Sequence, residues 1–154
     1  AKVYDMTVVR FNFRSVGQSE GVFDSGCGEQ DDLRAVIAWL RANYEVDALY
    51  LSGFSFGSYI ASVVAPNEGI SGLIAVAPPV VNFDFSTIVP GEYPWLVAQG
   101  DADEVVSPQA VFDWVQATPA VDECLVFNGV GHFFHGELLA LRDRLVAKLA
   151  HWPC

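Results

Sequence analysis

The sequence predicts an α/β protein, a three-layer α/β/α sandwich on a mostly parallel sheet, and three observations carry that expectation. Short apolar runs alternate along the chain with stretches whose apolar residues recur at helical spacing. Hydrophobic residues make up 52% of the chain and charged ones only 18%, the balance expected of a sheet covered on both faces. The third is the string Gly53-Phe54-Ser55-Phe56-Gly57, set between an apolar run and a stretch of small and apolar residues.

Taken in order, Thr7-Val8-Val9-Arg10-Phe11-Asn12-Phe13 predicts a strand that runs into a glycine- and serine-rich loop. Asp31 and Asp32 open a helix in which Leu33, Val36, Ile37 and Leu40 recur at i, i+3, i+4 and i+7. Ala48–Ser52 is a strand, and Ser58–Val64 is a helix separated from it only by the glycine-flanked serine. Gly72–Ala77 is a strand stopped by Pro78-Pro79. Tyr93–Gln99 reads as a buried strand, and Ser107-Pro108 opens a helix with Val111, Phe112 and Val115 on one face. Cys124–Phe127 is the last strand. The last helix runs from about Glu137 to Leu149 and is ended by Trp152-Pro153-Cys154. Neither an internal repeat nor a low-complexity linker interrupts residues 1–154, so one domain is expected. The dozen or so residues between Pro79 and Tyr93 leave no room for a lid domain.

Charge narrows the partners. A formal net charge of −11, with eight Lys and Arg scattered singly, offers no basic groove for nucleic acid and repels anionic membrane surfaces. A small neutral or cationic molecule is the easier fit. No run approaches the roughly 20 apolar residues of a membrane-spanning helix. The odd set Cys27, Cys124 and Cys154 predicts a reducing, cytoplasmic compartment rather than a disulfide framework.

The chemistry centres on Ser55. A strand that turns at once into a helix strains its corner residue, and flanking glycines remove side chains that would collide there. The hydroxyl is then raised beside a helix N-terminus, where the N–H of Phe56 can face developing negative charge. Two later loops leave strand ends at the same sheet edge, where open parallel sheets bind their ligands. One is Gly100-Asp101-Ala102-Asp103-Glu104-Val105-Val106, and the other is Asn128-Gly129-Val130-Gly131-His132. Serine, acid, histidine is the order that nucleophilic acyl transfer uses on such a sheet.

Position alone leaves the acid open. Asp103 stands further beyond its strand than Asp101, which suits a turn-shaping role, and Asp84 is a rival one strand earlier. His132 follows a glycine-containing loop, whereas His135 lies about one turn into the helical pattern that follows that loop. Cys27 is a poor rival nucleophile, because Asp24, Glu29, Asp31 and Asp32 oppose thiolate formation. Cys124 reads as a core residue. Arg14 could meet a substrate carboxylate, but pairing with a nearby acid such as Glu20 or Asp24 is the simpler expectation. The aromatic residues Phe54, Phe56, Tyr59, Phe83, Phe85, Phe133 and Phe134 either shape the site or pack.

The elbow, with the string 9–19, Ala77-Pro78-Pro79, Gly100–Val106 and Gly131-His132-Phe133-Phe134-His135-Gly136, resembles the small, lidless bacterial α/β-hydrolases related to dienelactone hydrolases and prolyl-oligopeptidase-like enzymes. The resemblance covers nearly the whole chain. It implies Ser55 as nucleophile, Asp103 as triad acid, His132 as base and the Phe56 N–H as an oxyanion donor, with neither cofactor nor metal. The implied activity is hydrolysis of a small ester, thioester or related acyl compound. A serine peptidase of the same fold is the alternative within the enzyme class, and a non-catalytic binding domain is the alternative outside it. The resemblance also implies strands before Thr7 and a second oxyanion donor on a glycine-containing loop that no residues here match. Ala1–Asp5 reads as the end of a preceding helix. The expectation is therefore a native protein with an N-terminal portion before Ala1, and with a few further residues near Asp5-Met6.

Overall fold

The computed structural model describes residues 6–152, so the expected helix remnant at 1–5 and the Pro153-Cys154 stop lie outside the described residues. The chain forms two compact units, one up to Tyr44 and one from Glu45 onward.

Among its described residues, the first unit holds one regular element, α1 (Cys27–Asn43). This helix starts earlier than the Asp31-Asp32 pair predicted, because its first turn is capped by acids upstream. Glu29 accepts the backbone N–H groups of Gly26 and Asp24, each at 2.8 Å, and Asp24 accepts that of Gly28 at 3.0 Å. Two of the donors that a helix start leaves unpaired, at Gly26 and Gly28, are thus met by carboxylates, which the helix dipole also favours there, and the Cys27 N–H is met by the Asp24 carbonyl. Leu33 and Ile37 are the buried members of the predicted apolar stripe. Arg14 pairs with Asp32 rather than with Glu20 or Asp24. Its Nη2 reaches Asp32 Oδ1 at 2.8 Å, and its backbone N–H reaches Oδ2 at 2.8 Å. Residues 7–13 form no strand, contrary to expectation. Their β-branched and aromatic residues favour extended chain, but a strand exists only where a neighbour supplies ladder hydrogen bonds.

The second unit is a four-stranded sheet, β1 (Tyr50–Phe54), β2 (Gly72–Val76), β3 (Trp95–Gly100) and β4 (Glu123–Phe127), in that spatial order with every pair parallel. Helices α2 (Phe56–Val64), α3 (Pro108–Gln116) and α4 (Leu138–Leu149) connect or follow the strands, and a 3-10 turn over Ala65–Asn67 ends α2. Strand alternation sorts the core into two faces. Ile74, Val76, Leu96, Ala98, Leu125 and Phe127 face Leu141, Leu145 and Leu149 of α4. The opposite parity carries Trp95, whose ring meets Trp114 of α3, and Trp114 in turn meets Phe85, which packs on Tyr59 of α2. Helix, sheet and helices make the predicted three layers within this unit.

Register then lines up the strand ends. Phe54 pairs with Val76, Val76 with Ala98 and Gly100 with Phe127. Backbone bonds continue one residue further, from Ser55 N to Val76 O at 2.8 Å and from Asp101 N to Phe127 O at 3.0 Å. Ser55, the loop after β3 and the loop after β4 therefore leave the sheet along one edge. Residues 77–94, between β2 and β3, contain neither helix nor strand.

Candidate active site

Ser55 occupies the corner between β1 and α2 with φ 49° and ψ −121°, a left-handed conformation that a residue with a side chain adopts only under constraint. Gly53 makes the corner possible, because a Cβ there would lie 2.1 Å from the carbonyl oxygen of Gly57. Gly57 does not share that need. An added Cβ would meet nothing within 4 Å among the described residues, so only the first glycine acts as a steric relief. The turn is tied by Ser58, whose N–H and hydroxyl both donate to Ser55 O, at 2.9 and 2.6 Å.

His132 lies in the loop between β4 and α4 and is only 3% exposed. Its Nε2 stands 3.2 Å from Ser55 Oγ, and its Nδ1 stands 2.8 Å from Asp103 Oδ2. Serine, imidazole and carboxylate are thus hydrogen-bonded in series, which is the geometry of a Ser-His-Asp triad. The tautomer this requires, with a proton on Nδ1 and a lone pair on Nε2 toward the hydroxyl, is the one an ionised Asp103 favours.

Asp103 is 7% exposed, and all its acceptor capacity is used. Oδ1 accepts the N–H groups of Val105 and Val106, at 2.8 and 2.7 Å, while Oδ2 accepts from Gln99 Nε2 at 3.0 Å and from His132. Burial alone would push this carboxyl up. The hydrogen bonds from Val106, His132, Val105 and Gln99 outweigh it and hold the group below its ordinary range, ionised at neutral pH.

The other acids do different work. Asp101 accepts the N–H of Gly129 at 2.6 Å, so it ties the loop after β4 instead of shaping its own turn. Asp84 is exposed and holds its own turn by accepting the N–H and hydroxyl of Ser86, at 2.9 and 2.5 Å. Glu104 accepts the backbone N–H of His132 at 3.1 Å. Together with the bond from Ala102 N to Val130 O at 3.2 Å, these contacts zip the acid loop to the histidine loop. Removing the Glu104 carboxylate in Glu104→Ala is expected to speed amide hydrogen exchange at His132 about fivefold, the equivalent of roughly 1 kcal/mol, while exchange in β3 stays unchanged.

His135 precedes α4 instead of lying within it, is exposed, and stacks on Phe133 with ring centroids 5.7 Å apart. Phe54 and Phe133 flank the His132 ring at 4.9 and 5.0 Å. Phe56, Phe83 and Tyr59 form a second cluster. Phe85 and Phe134 are buried core residues, against Trp114 and Phe127 respectively. Cys27, the first residue of α1, is an exposed free thiol. Cys124 is a half-buried free thiol in β4, and burial pushes it up to about 11, too high for a nucleophile at neutral pH. Cys154 lies outside the described residues.

Sequence reasoning missed two contributors. Gln99 left one signal, a polar residue closing an otherwise apolar buried strand. Glu104 left none, since nothing local shows that an exposed loop glutamate will meet a backbone N–H 28 residues away.

Comparison with known proteins agrees with this geometry. The family profile described as X-Pro dipeptidyl-peptidase (S15 family) matches residues 6–89, more than half of the chain. The solved structure of XC6422 from Xanthomonas campestris, described as an α/β serine hydrolase without lid, is 47% identical with a TM-score of 0.89, over 94% of this chain and 66% of that one. An α/β serine hydrolase homologue from Coxiella burnetii is 45% identical with a TM-score of 0.86, over 91% of this chain and 67% of that one. The uncharacterized protein RP471 of Rickettsia prowazekii is 38% identical over 138 residues, 83% of this chain. The chain spans 58% of RP471 and 66% of XC6422, less than two thirds of each. By sequence and by architecture, the chain belongs to the family described as X-Pro dipeptidyl-peptidase (S15 family) and, within the α/β-hydrolase fold, to its small lidless bacterial members.

Proposed function

We propose that the protein is a serine hydrolase that cleaves a small ester, thioester or related acyl substrate through an acyl-enzyme on Ser55. The observation that carries this reading is the continuous chain from Ser55 Oγ through His132 to Asp103, built on a serine held at positive φ. His132 takes the serine proton as Oγ attacks the carbonyl carbon, then returns it to the leaving group; water repeats the cycle on the acyl-enzyme. Asp103 orients the imidazole and stabilises its cationic form. Phe56 opens α2, so its N–H is the proposed donor to the oxyanion.

A fluorophosphonate probe tests the reading directly, because only an activated serine is phosphonylated. Stoichiometric labelling mapped to Ser55 is the expected result. Failure to label, with the fold intact, would favour a binding domain. The S15 family match favours a second reading, a peptidase. An Xaa-Pro anilide and a p-nitrophenyl ester separate the two: turnover of the ester alone is the outcome expected here.

No helix among the described residues is long and apolar enough to cross a membrane. Two unpaired thiols suit a reducing compartment, and the cytoplasm is the proposed location.

A further inference from the structure

We propose that Gln99 is a positioning residue that restrains the basicity of His132 by sharing the Asp103 oxygen to which the imidazole is bound. Gln99 is wholly buried, near the end of β3. Its Nε2 donates to Gly100 O and to Asp103 Oδ2, each at 3.0 Å. Its Oε1 has no hydrogen-bond partner among the described residues. A buried amide that leaves its acceptor unmatched is a poor choice for stability, since an apolar side chain of the same length would fill the space without that cost. Besides its bond to the Gly100 carbonyl, the amide supplies the second donor on Oδ2.

That donor has a chemical consequence. A carboxylate oxygen that accepts two hydrogen bonds offers less negative charge to each donor than an oxygen that accepts one. With Gln99 present, the imidazolium formed when His132 takes the serine proton is stabilised only in part, and the ring can release that proton to a leaving group. Without it, Oδ2 faces His132 alone and the ring holds its proton more tightly. The other ionisable groups near His132 do not change in this comparison. Glu104 binds its backbone N–H, Asp101 binds the neighbouring Gly129, and His135 and Glu137 line the same shallow hollow.

Gln99→Met tests the idea, because methionine is unbranched, similar in length and cannot donate. The inference rests on the hydrolase reading of the site, but its first readout needs no substrate. In an NMR titration of the His132 ring, the midpoint is expected to rise by about half a pH unit or more, in a variant that stays folded but melts lower because Gly100 O and Asp103 Oδ2 each lose a donor. In ester hydrolysis the acid limb of the pH profile is expected to move up equally. On that acid limb the rate then falls about threefold, the deficit closes at alkaline pH, and KM is unchanged. An unmoved His132 midpoint, or a rate deficit that is constant with pH, would overturn the proposal. Should Gln99→Met fail to fold, Gln99→Glu decides: the introduced carboxyl group and His132 are expected to titrate in two coupled steps through Asp103. A single unshifted His132 step would overturn the proposal there as well. Absence of Ser55-dependent turnover in the wild type counts against the hydrolase reading and leaves the NMR midpoint as the measure of Gln99.

Discussion

Ser55→Ala is expected to abolish hydrolysis of a short p-nitrophenyl ester, with a fall in kcat on the order of a million-fold and little change in KM. The size follows from the role. Removing the nucleophile removes the acyl-enzyme route entirely, and only donors that polarise the carbonyl remain. Folding should survive, because alanine adds no bulk and relieves none of the contacts that force the corner: Gly53 remains against Gly57, and Ser58 still donates to the carbonyl of residue 55. The melting temperature should therefore stay close to wild type. Turnover within tenfold of wild type in a folded Ser55→Ala variant would remove Ser55 from the mechanism.

The second large effect is expected for Asp103→Asn, with a loss of about ten-thousand-fold in kcat. The amide oxygen can keep the bonds from Val105 and Val106, which turns the amide nitrogen toward His132 Nδ1 and Gln99 Nε2. Three donors then meet with no acceptor. The ring is driven to the tautomer with its proton on Nε2, where it cannot take one from Ser55. By contrast, Asp84→Asn should leave kcat within about twofold, since Asp84 holds only its own turn. Asp101→Ala, which removes the acceptor of the Gly129 N–H, should fall between them through a looser histidine loop.

The same carboxylate links the site to stability. The Asp103 carboxyl is held below its ordinary range in the fold, so the ionised form is bound more tightly there than in the unfolded chain. Its contribution is complete above the unfolded value of about 4 and is lost as pH falls through the lower folded value. Acid unfolding of the wild type should thus steepen below about pH 4, and Asp103→Asn should flatten that limb.

Much of this was legible in the chain. The elbow is a local feature: five consecutive residues between a strand and a helix specify the strained serine. Strand and helix alternation specifies a parallel layer, and every pairing is parallel. Misreadings had local causes too. α1 starts before the Asp31-Asp32 boundary because its caps are Glu29 and Asp24, acids that lie ahead of that pair. Residues 7–13 have the composition of a strand and no ladder, because pairing is a property of two segments and composition of one.

The sequence by itself determined that a strained serine, an acid loop and a histidine would leave one sheet edge in that order, because each is set by residues adjacent in the chain. Only the tertiary structure decided which carboxylate meets His132, and that Gln99 and Glu104 hold the pair in place. Asp84, Asp101 and Asp103 all sit beyond strand ends. The choice among them depends on register and on hydrogen bonds between the loops after β3 and β4, separated by 28 and 29 residues of chain.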